Sequence, residues 1–143
     1  MEWLVAVPWI FAAVGSMINS YHSDKTGDYK WHLAIPIFIG ALFLAISVSL
    51  GSAFPVMALL TLSLGLGFIY CYSVYWAALS SYAAEDVLAV SMGFINAIGN
   101  LGGFVGPFAV GYLIDKTGSF VMGECVLILS LVIAGLCALR LKR

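Results

Sequence analysis

The side chains best suited to bind a small solute are two amides in a long apolar segment. Asn96 and Asn100 are four residues apart, so both lie on one face if the segment is helical. An asparagine amide can hydrogen-bond a polar solute in a cavity, or it can bond across to a neighbouring helix. The segment therefore predicts either a cavity lined by these two amides or an interhelical contact through them.

Glycines accompany the two amides along the same segment. Gly99 and Gly103 are four residues apart, as are Gly102 and Gly106, and Pro107 follows directly. Such spacing of small residues lets a second helix approach closely, whereas a proline removes a backbone donor and can bend its helix. We therefore expect the glycines and the proline to have a structural role beside the asparagine face.

A second candidate site precedes this segment. Ser73 and Trp76 are three residues apart, hence on one face of a helix. Tryptophan offers a large stacking surface and an N–H donor, so the pair is suited to enclose and hydrogen-bond a solute. The alternative is that Trp76 anchors its helix at the membrane interface, where tryptophan is enriched.

Other kinds of chemistry lack the residues they need. All seven acidic residues lie near the ends of the apolar segments, which argues against an embedded hydrolase or a self-contained proton pump. The three cysteines fit no metal-binding or disulfide pattern, and His22 and His32 flank a predicted surface loop. The sequence has no cluster of basic residues of the kind that binds nucleic acid. The sequence thus predicts no enzyme, no catalytic residue, no metal site and no cofactor.

The composition requires a lipid bilayer around this chain. Hydrophobic residues make up 63% and charged residues 9% of its 143 residues, and the mean hydropathy is +1.08. Soluble domains carry about 25% charged residues, and a membrane-spanning helix needs about 20 apolar residues. The predicted fold is an all-α membrane protein, one bundle over residues 1–143 with five transmembrane helices. The predicted spans are residues 3–20, 33–50, 55–80, 88–114 and 120–139.

The basic residues predict how the five spans are oriented. The links 21–31 and 81–87 share one side with the C-terminal tail, and this side carries five of the six basic residues. Basic residues are enriched in cytoplasmic loops. We therefore expect a multi-pass protein of a bacterial inner membrane or a plasma membrane, with its N-terminus outside and its C-terminus in the cytoplasm.

The tetrapeptide Asp-Lys-Thr-Gly occurs at residues 24–27 and again at residues 115–118. The predicted topology puts the first copy in the cytoplasm and the second outside, three spans later. Similar segments in opposite orientation are typical of inverted repeats in transporters; the alternative is a common Asp-x-x-Gly turn that recurs by chance. If each repeat has three helices, the first repeat lacks its first helix in this chain. We therefore expect the chain to be a fragment.

Two segments carry a resemblance to a known family. Residues 22–32 are similar to the link between helices eight and nine of major facilitator superfamily transporters, and residues 95–107 are similar to their helix eleven. More closely, the chain resembles the anion:cation symporter family. The resemblance implies a partial major facilitator fold, the C-terminal half without its first helix, which works with N-terminal helices missing from the chain.

The resemblance also implies an activity. Members of the family transport small organic anions, including carboxylates, together with a cation such as the proton by alternating access. Asn96, Trp76, Ser73 and Asn100 would then contact the substrate. The missing helices would supply the counter-charge and the proton acceptor, so we expect the chain to be inactive alone. The alternative is a small membrane assembly or regulatory protein that acts through helix packing.

The first Asp-Lys-Thr-Gly copy resembles the cytoplasmic gating motif of the superfamily. The resemblance assigns Asp24, Lys25 and Gly27 to this gate, in which the aspartate caps a neighbouring helix and basic residues pair with acids. Two departures weaken the likeness: Ser20 replaces a leading glycine, and residues 28–29 are Asp-Tyr where a basic pair is usual. The gate is therefore expected to hold less positive charge than in the family.

Overall fold

The computed structural model describes residues 3–51, 53–69 and 71–141, with side chains from residue 6 onwards, and this part is helical apart from short connections. Lys142 and Arg143 of the predicted basic tail lie outside the described residues. The described ranges contain six helices and no strand: α1 (Trp3–Thr26), α2 (Tyr29–Leu50), α3 (Pro55–Ile69), α4 (Tyr72–Tyr82), α5 (Glu85–Thr117) and α6 (Phe120–Ala138).

Four stretches of helix are long and apolar enough to cross a membrane. They are Tyr29–Leu50, Pro55–Tyr82, Glu85–Thr117 and Phe120–Ala138. The all-α prediction is confirmed, and four of the five predicted spans fall on these stretches. The first predicted span, residues 3–20, falls in α1, a helix of 24 residues whose first side chains are not described.

The third predicted span covers two helices of the structure. α3 ends at Ile69 and α4 begins at Tyr72, and Tyr70 between them lies outside the described residues. The N–H of Cys71 donates to the carbonyl of Ile69 at 2.7 Å. The bounds of this span therefore stay a prediction.

The connection between α1 and α2 is only two residues long. The N–H of Gly27 donates to the carbonyl of Ser23 at 2.8 Å, and Gly27 has a φ of +65°, which a glycine adopts readily at the end of a helix. Asp28 then caps α2, since its carboxylate accepts a hydrogen bond from the N–H of Trp31 at 3.4 Å. The predicted polar link of residues 21–31 is therefore mostly helical.

The second Asp-Lys-Thr-Gly copy ends its helix in the same manner as the first. Gly118 has a φ of +66°, and its N–H donates to the carbonyl of Ile114 at 2.8 Å. This is also the commonest way in which helices end on a glycine. The shared geometry therefore fits a repeat and an ordinary turn equally, and the inverted repeat stays a prediction.

Residues 1–75 and 128–143 form one compact unit of the chain. Within it, α1 and α2 each pack along α3. Glycines permit the close approach: a Cβ added to Gly67 would lie 2.8 Å from the carbonyl oxygen of Phe11, and one added to Gly65 would lie 3.1 Å from the Cβ of Phe43. Small residues at helix contacts are usual in membranes, where van der Waals packing drives association.

Residues 76–127 form the second unit, which contains all of α5. None of the described residues of α5 is buried. Gly123 of α6 lies against Val110, since a Cβ at this glycine would be 2.7 Å from a methyl carbon of the valine. Most of the apolar surface of α5, including Phe104 and Phe108, is exposed. In a bilayer such a surface contacts lipid tails or further helices.

Candidate functional site

The predicted asparagine face lies in the second unit and is open. Asn96 and Asn100 are both exposed. A Cβ added to Gly99, Gly103 or Gly106 would meet no atom within 4 Å. The face therefore has space for a solute or for another helix, and both interpretations of the two amides stay open.

Pro107 and Trp76 also belong to this unit. Pro107 lies inside α5, which continues for ten further residues to Thr117, so this proline does not end its helix. Trp76 is half-buried near the middle of α4, and its carbonyl accepts a hydrogen bond from the hydroxyl of Ser80 at 2.9 Å. Its indole is thus partly accessible, as a side chain that encloses a solute must be.

Ser73 takes part in a serine cluster of the first unit, formed with Ser16 and Ser20 of α1. Its hydroxyl hydrogen-bonds that of Ser20 and lies 3.4 Å from that of Ser16. Ser20 also donates to the carbonyl of Ser16 at 2.7 Å; because a hydroxyl has one proton, Ser73 is then the donor toward Ser20. The sequence pattern paired Ser73 with Trp76 and did not predict this cluster. The four-residue spacing of Ser16 and Ser20, which puts both on one face of α1, is the signal that could have indicated it.

The predicted gate residues lie at the end of α1. Asp24 and Lys25 are exposed in its last turn, and Gly27 ends the helix in the left-handed conformation described above. Ser23 beside them is fully buried, and its hydroxyl has no hydrogen-bond partner. The gating role of the first three residues stays a prediction.

A second polar cluster in the first unit joins α1 to α2. The Nδ1 of His22 lies 2.6 Å from the Nε2 of His32, with ring centroids 4.9 Å apart. The Nδ1 of His32 in turn contacts the carbonyl oxygen of Asp28, and the Nδ2 of Asn19 donates to the carbonyl of His32 at 2.9 Å. The sequence predicted that the two histidines flank a surface loop; it did not indicate that Gly27 and Asp28 alone connect α1 to α2.

This arrangement lines one end of a groove of about 730 Å³ between α1, α2 and α3. Its walls are mainly apolar, and Asn19, His22 and His32 supply the polar groups at that end. Side chains along the walls include Phe11, Ile18, Trp31, Ile35, Leu64 and Phe68. Among the described residues, no three histidine, cysteine or acidic side chains are grouped so as to hold a metal ion.

The sequence of the chain is similar to those of known membrane transporters. It is 36% identical over 138 residues to the Agrobacterium vitis protein named "Putative tartrate transporter", which covers 96% of this chain and 32% of that protein. The chain is related to major facilitator superfamily transporters. The resemblance predicted from residues 22–32 and 95–107 is thus confirmed, and the relatives are transporters rather than enzymes.

Other relatives of the chain have different named substrates. The quinolone resistance transporter of Acinetobacter baumannii is 30% identical over 145 residues, which is 98% of this chain and 33% of that protein. The hexuronate transporter of Bacillus subtilis is 26% identical over 131 residues, 84% of this chain and 31% of that protein. This chain spans about a third of the length of these relatives.

No protein-family model matches the chain, and no solved structure matches it. The relationship to the superfamily and the membrane location thus have their support in the similarity to the named transporters. The substrate would depend on the side chains of the site.

Proposed function

We propose that the chain forms part of a secondary transporter for small organic anions, namely carboxylates, that moves them with a cation by alternating access. The observation that carries this proposal is the similarity over 96% of the chain to a relative named for tartrate. A relative named for hexuronate adds a second organic anion. The proton is the proposed coupling cation.

The proposed substrate contacts come from α5 and α4. The amides of Asn96 and Asn100 have N–H groups that can donate to a carboxylate, and their exposed face leaves room for one. Trp76 would cover the carbon skeleton of the substrate, and Ser73 would add a hydroxyl. The glycines of α5 would let a helix or the substrate approach the backbone closely.

Further helices are expected to complete the substrate path. The relatives are about three times as long as this chain, and the described apolar segments supply few ionisable groups that could neutralise an anion or carry a proton. We therefore propose that these residues alone do not transport. Asp24, Lys25 and Gly27 would act at a gate on the cytoplasmic side, where the C-terminus would also lie.

A hybrid transporter tests the proposal directly. This chain replaces the matching third of the Agrobacterium vitis relative, and the hybrid is reconstituted in vesicles with an inward proton gradient. We expect uptake of labelled tartrate or hexuronate that exceeds uptake by vesicles containing only these 143 residues. Collapse of the gradient should abolish accumulation. A hybrid that reaches the vesicle membrane but accumulates neither anion would contradict the proposal.

A different function, assembly or regulation through helix packing, is favoured by one observation. The glycine edge of α5 is open, and no described residue of this helix is buried. Replacement of Gly99 and Gly103 by leucine would then abolish binding of a partner helix, whereas Asn96→Ala would leave that binding intact. If the chain is instead part of a transporter, Asn96→Ala should reduce uptake although the protein still assembles normally.

A further inference from the structure

The hydrogen bond between His22 and His32 restricts where protons can reside. Two ring nitrogens 2.6 Å apart need one donor and one acceptor. The other ring nitrogen of His32, Nδ1, contacts the carbonyl oxygen of Asp28, which can only accept. A neutral His32 therefore has its proton on Nδ1 and accepts from His22 through Nε2.

The proton between the two rings accordingly belongs to His22. A neutral His22 donates it from Nδ1, and a charged His22 donates it from the same atom in a charge-assisted hydrogen bond, which is the stronger kind. A further proton on the Nε2 of His32 would make two N–H groups face each other and place two charges side by side. The pair can thus accept one added proton and keep its hydrogen bond, but not two.

The two histidines lie about one helical turn from the Gly27–Asp28 connection between α1 and α2. Both helices pack along α3, and they contact one another much less. The amide of Asn19 provides a second link at this end, to the carbonyl of His32. In the described part, α3 carries no ionisable side chain. The ionisable residues near the pair in sequence, on α1, α2 and the turn between them, are Tyr21, Asp24, Lys25, Asp28, Tyr29 and Lys30.

We propose that His22 and His32 form a one-proton site that fastens α1 to α2 and lines one end of the groove. The first proton strengthens the connection, and the second breaks it. Release of the rings would leave Asn19 as the remaining polar link and would open the groove between α1, α2 and α3. This site is independent of the transport proposed above, since it needs no substrate.

Histidine-selective NMR of the full chain in lipid nanodiscs tests the site. The chain has two histidines, so every labelled ring signal comes from this pair. The ¹⁵N shifts of each ring report which of its nitrogens carries a proton. We expect cross-relaxation between the rings while the pair holds at most one added proton, and its loss once acid has placed a proton on every ring nitrogen.

Two variants provide the reference behaviour. His22→Gln and His32→Gln each leave one histidine, whose ¹⁵N shifts give the behaviour of a ring without its partner. Wild-type rings with the same shifts as these variants throughout acidification would overturn the shared proton. Rings still in contact when both are charged would overturn the fastening role. Asn19→Ala should retain the ring contact, because its amide bonds the backbone and neither ring.

Discussion

Gly15 of α1 and Gly67 of α3 lie backbone to backbone, so that a Cβ on Gly15 would overlap the carbonyl group of Gly67. A Cβ on Gly67 would itself be 2.8 Å from the carbonyl oxygen of Phe11. Both obstacles are backbone atoms, which cannot rotate away as a side chain can. This contact between α1 and α3 therefore depends on glycine at both positions.

The first prediction concerns that contact. Gly67→Ala should lower the free energy of unfolding by about 1–3 kcal/mol, as overpacking of a tight contact does, measured by reversible unfolding in mixed micelles. Gly103→Ala is the matched control, because a Cβ there meets nothing within 4 Å. Its helix should gain up to about 1 kcal/mol from alanine. Equal destabilisation by both variants would contradict the packing described.

The two glycine positions also explain what the sequence could and could not predict. Glycines at four-residue spacing in α5 indicated a packing edge, yet Gly99 and Gly103 face open space within their unit. Backbone-to-backbone contacts occur instead at Gly15 and Gly67, which lie in different helices and share no regular spacing in the sequence. Spacing predicts that a helix can approach, but the identity of the neighbour depends on tertiary packing.

The sequence predicted the helices more reliably than it predicted which side chains come together. Hydropathy and length predicted the helices because a bilayer demands about 20 apolar residues per span. The contact of His22 with His32 was missed, since it arises where adjacent helices meet. The proximity of the histidines required knowing that Gly27 and Asp28 alone connect the two helices.

A second prediction concerns the hydrogen bond between Ser20 and Ser73. A double-mutant cycle with alanine at both positions should give a coupling of about 0.6 kcal/mol, the average for interhelical hydrogen bonds in a membrane, from the same unfolding measurement. Ser80→Ala is the control partner, because its hydroxyl donates to the carbonyl of Trp76 in its own helix. Coupling of Ser20 to Ser80 that matches its coupling to Ser73 would refute the assignment.

A third prediction compares two fully buried serines. The hydroxyl of Ser23 has no partner, whereas that of Ser63 donates to the carbonyl of Leu59 at 2.6 Å. Ser23→Ala should leave stability unchanged or raise it by about 1 kcal/mol, because it removes an unsatisfied polar group. Ser63→Ala should not stabilise, since a made hydrogen bond is lost. Thermal unfolding of both variants in the same detergent distinguishes these outcomes. Stabilisation by Ser63→Ala but not by Ser23→Ala would contradict the prediction.

A fourth prediction addresses the proposed substrate site in the hybrid transporter. Asn96→Ala should reduce uptake at limiting substrate by about tenfold or more, because loss of a hydrogen bond to a charged group costs about 1.5–3 kcal/mol. Phe104→Leu, on the exposed apolar surface of α5, is the control and should transport normally. Both variants must be present in the membrane in equal amounts. Normal uptake by the Asn96 variant would remove this residue from the site.

A fifth prediction tests the proposed orientation and the inverted repeat together. Thr26 and Thr117 hold the same place in the two Asp-Lys-Thr-Gly copies, each as the exposed last residue of its helix. With the three native cysteines replaced, Thr117→Cys should react with a membrane-impermeant maleimide on intact cells. Thr26→Cys should react only after the membrane is opened, since the basic residues favour the cytoplasm for its side. Labelling of both cysteines from the same side of the membrane would exclude an inverted repeat.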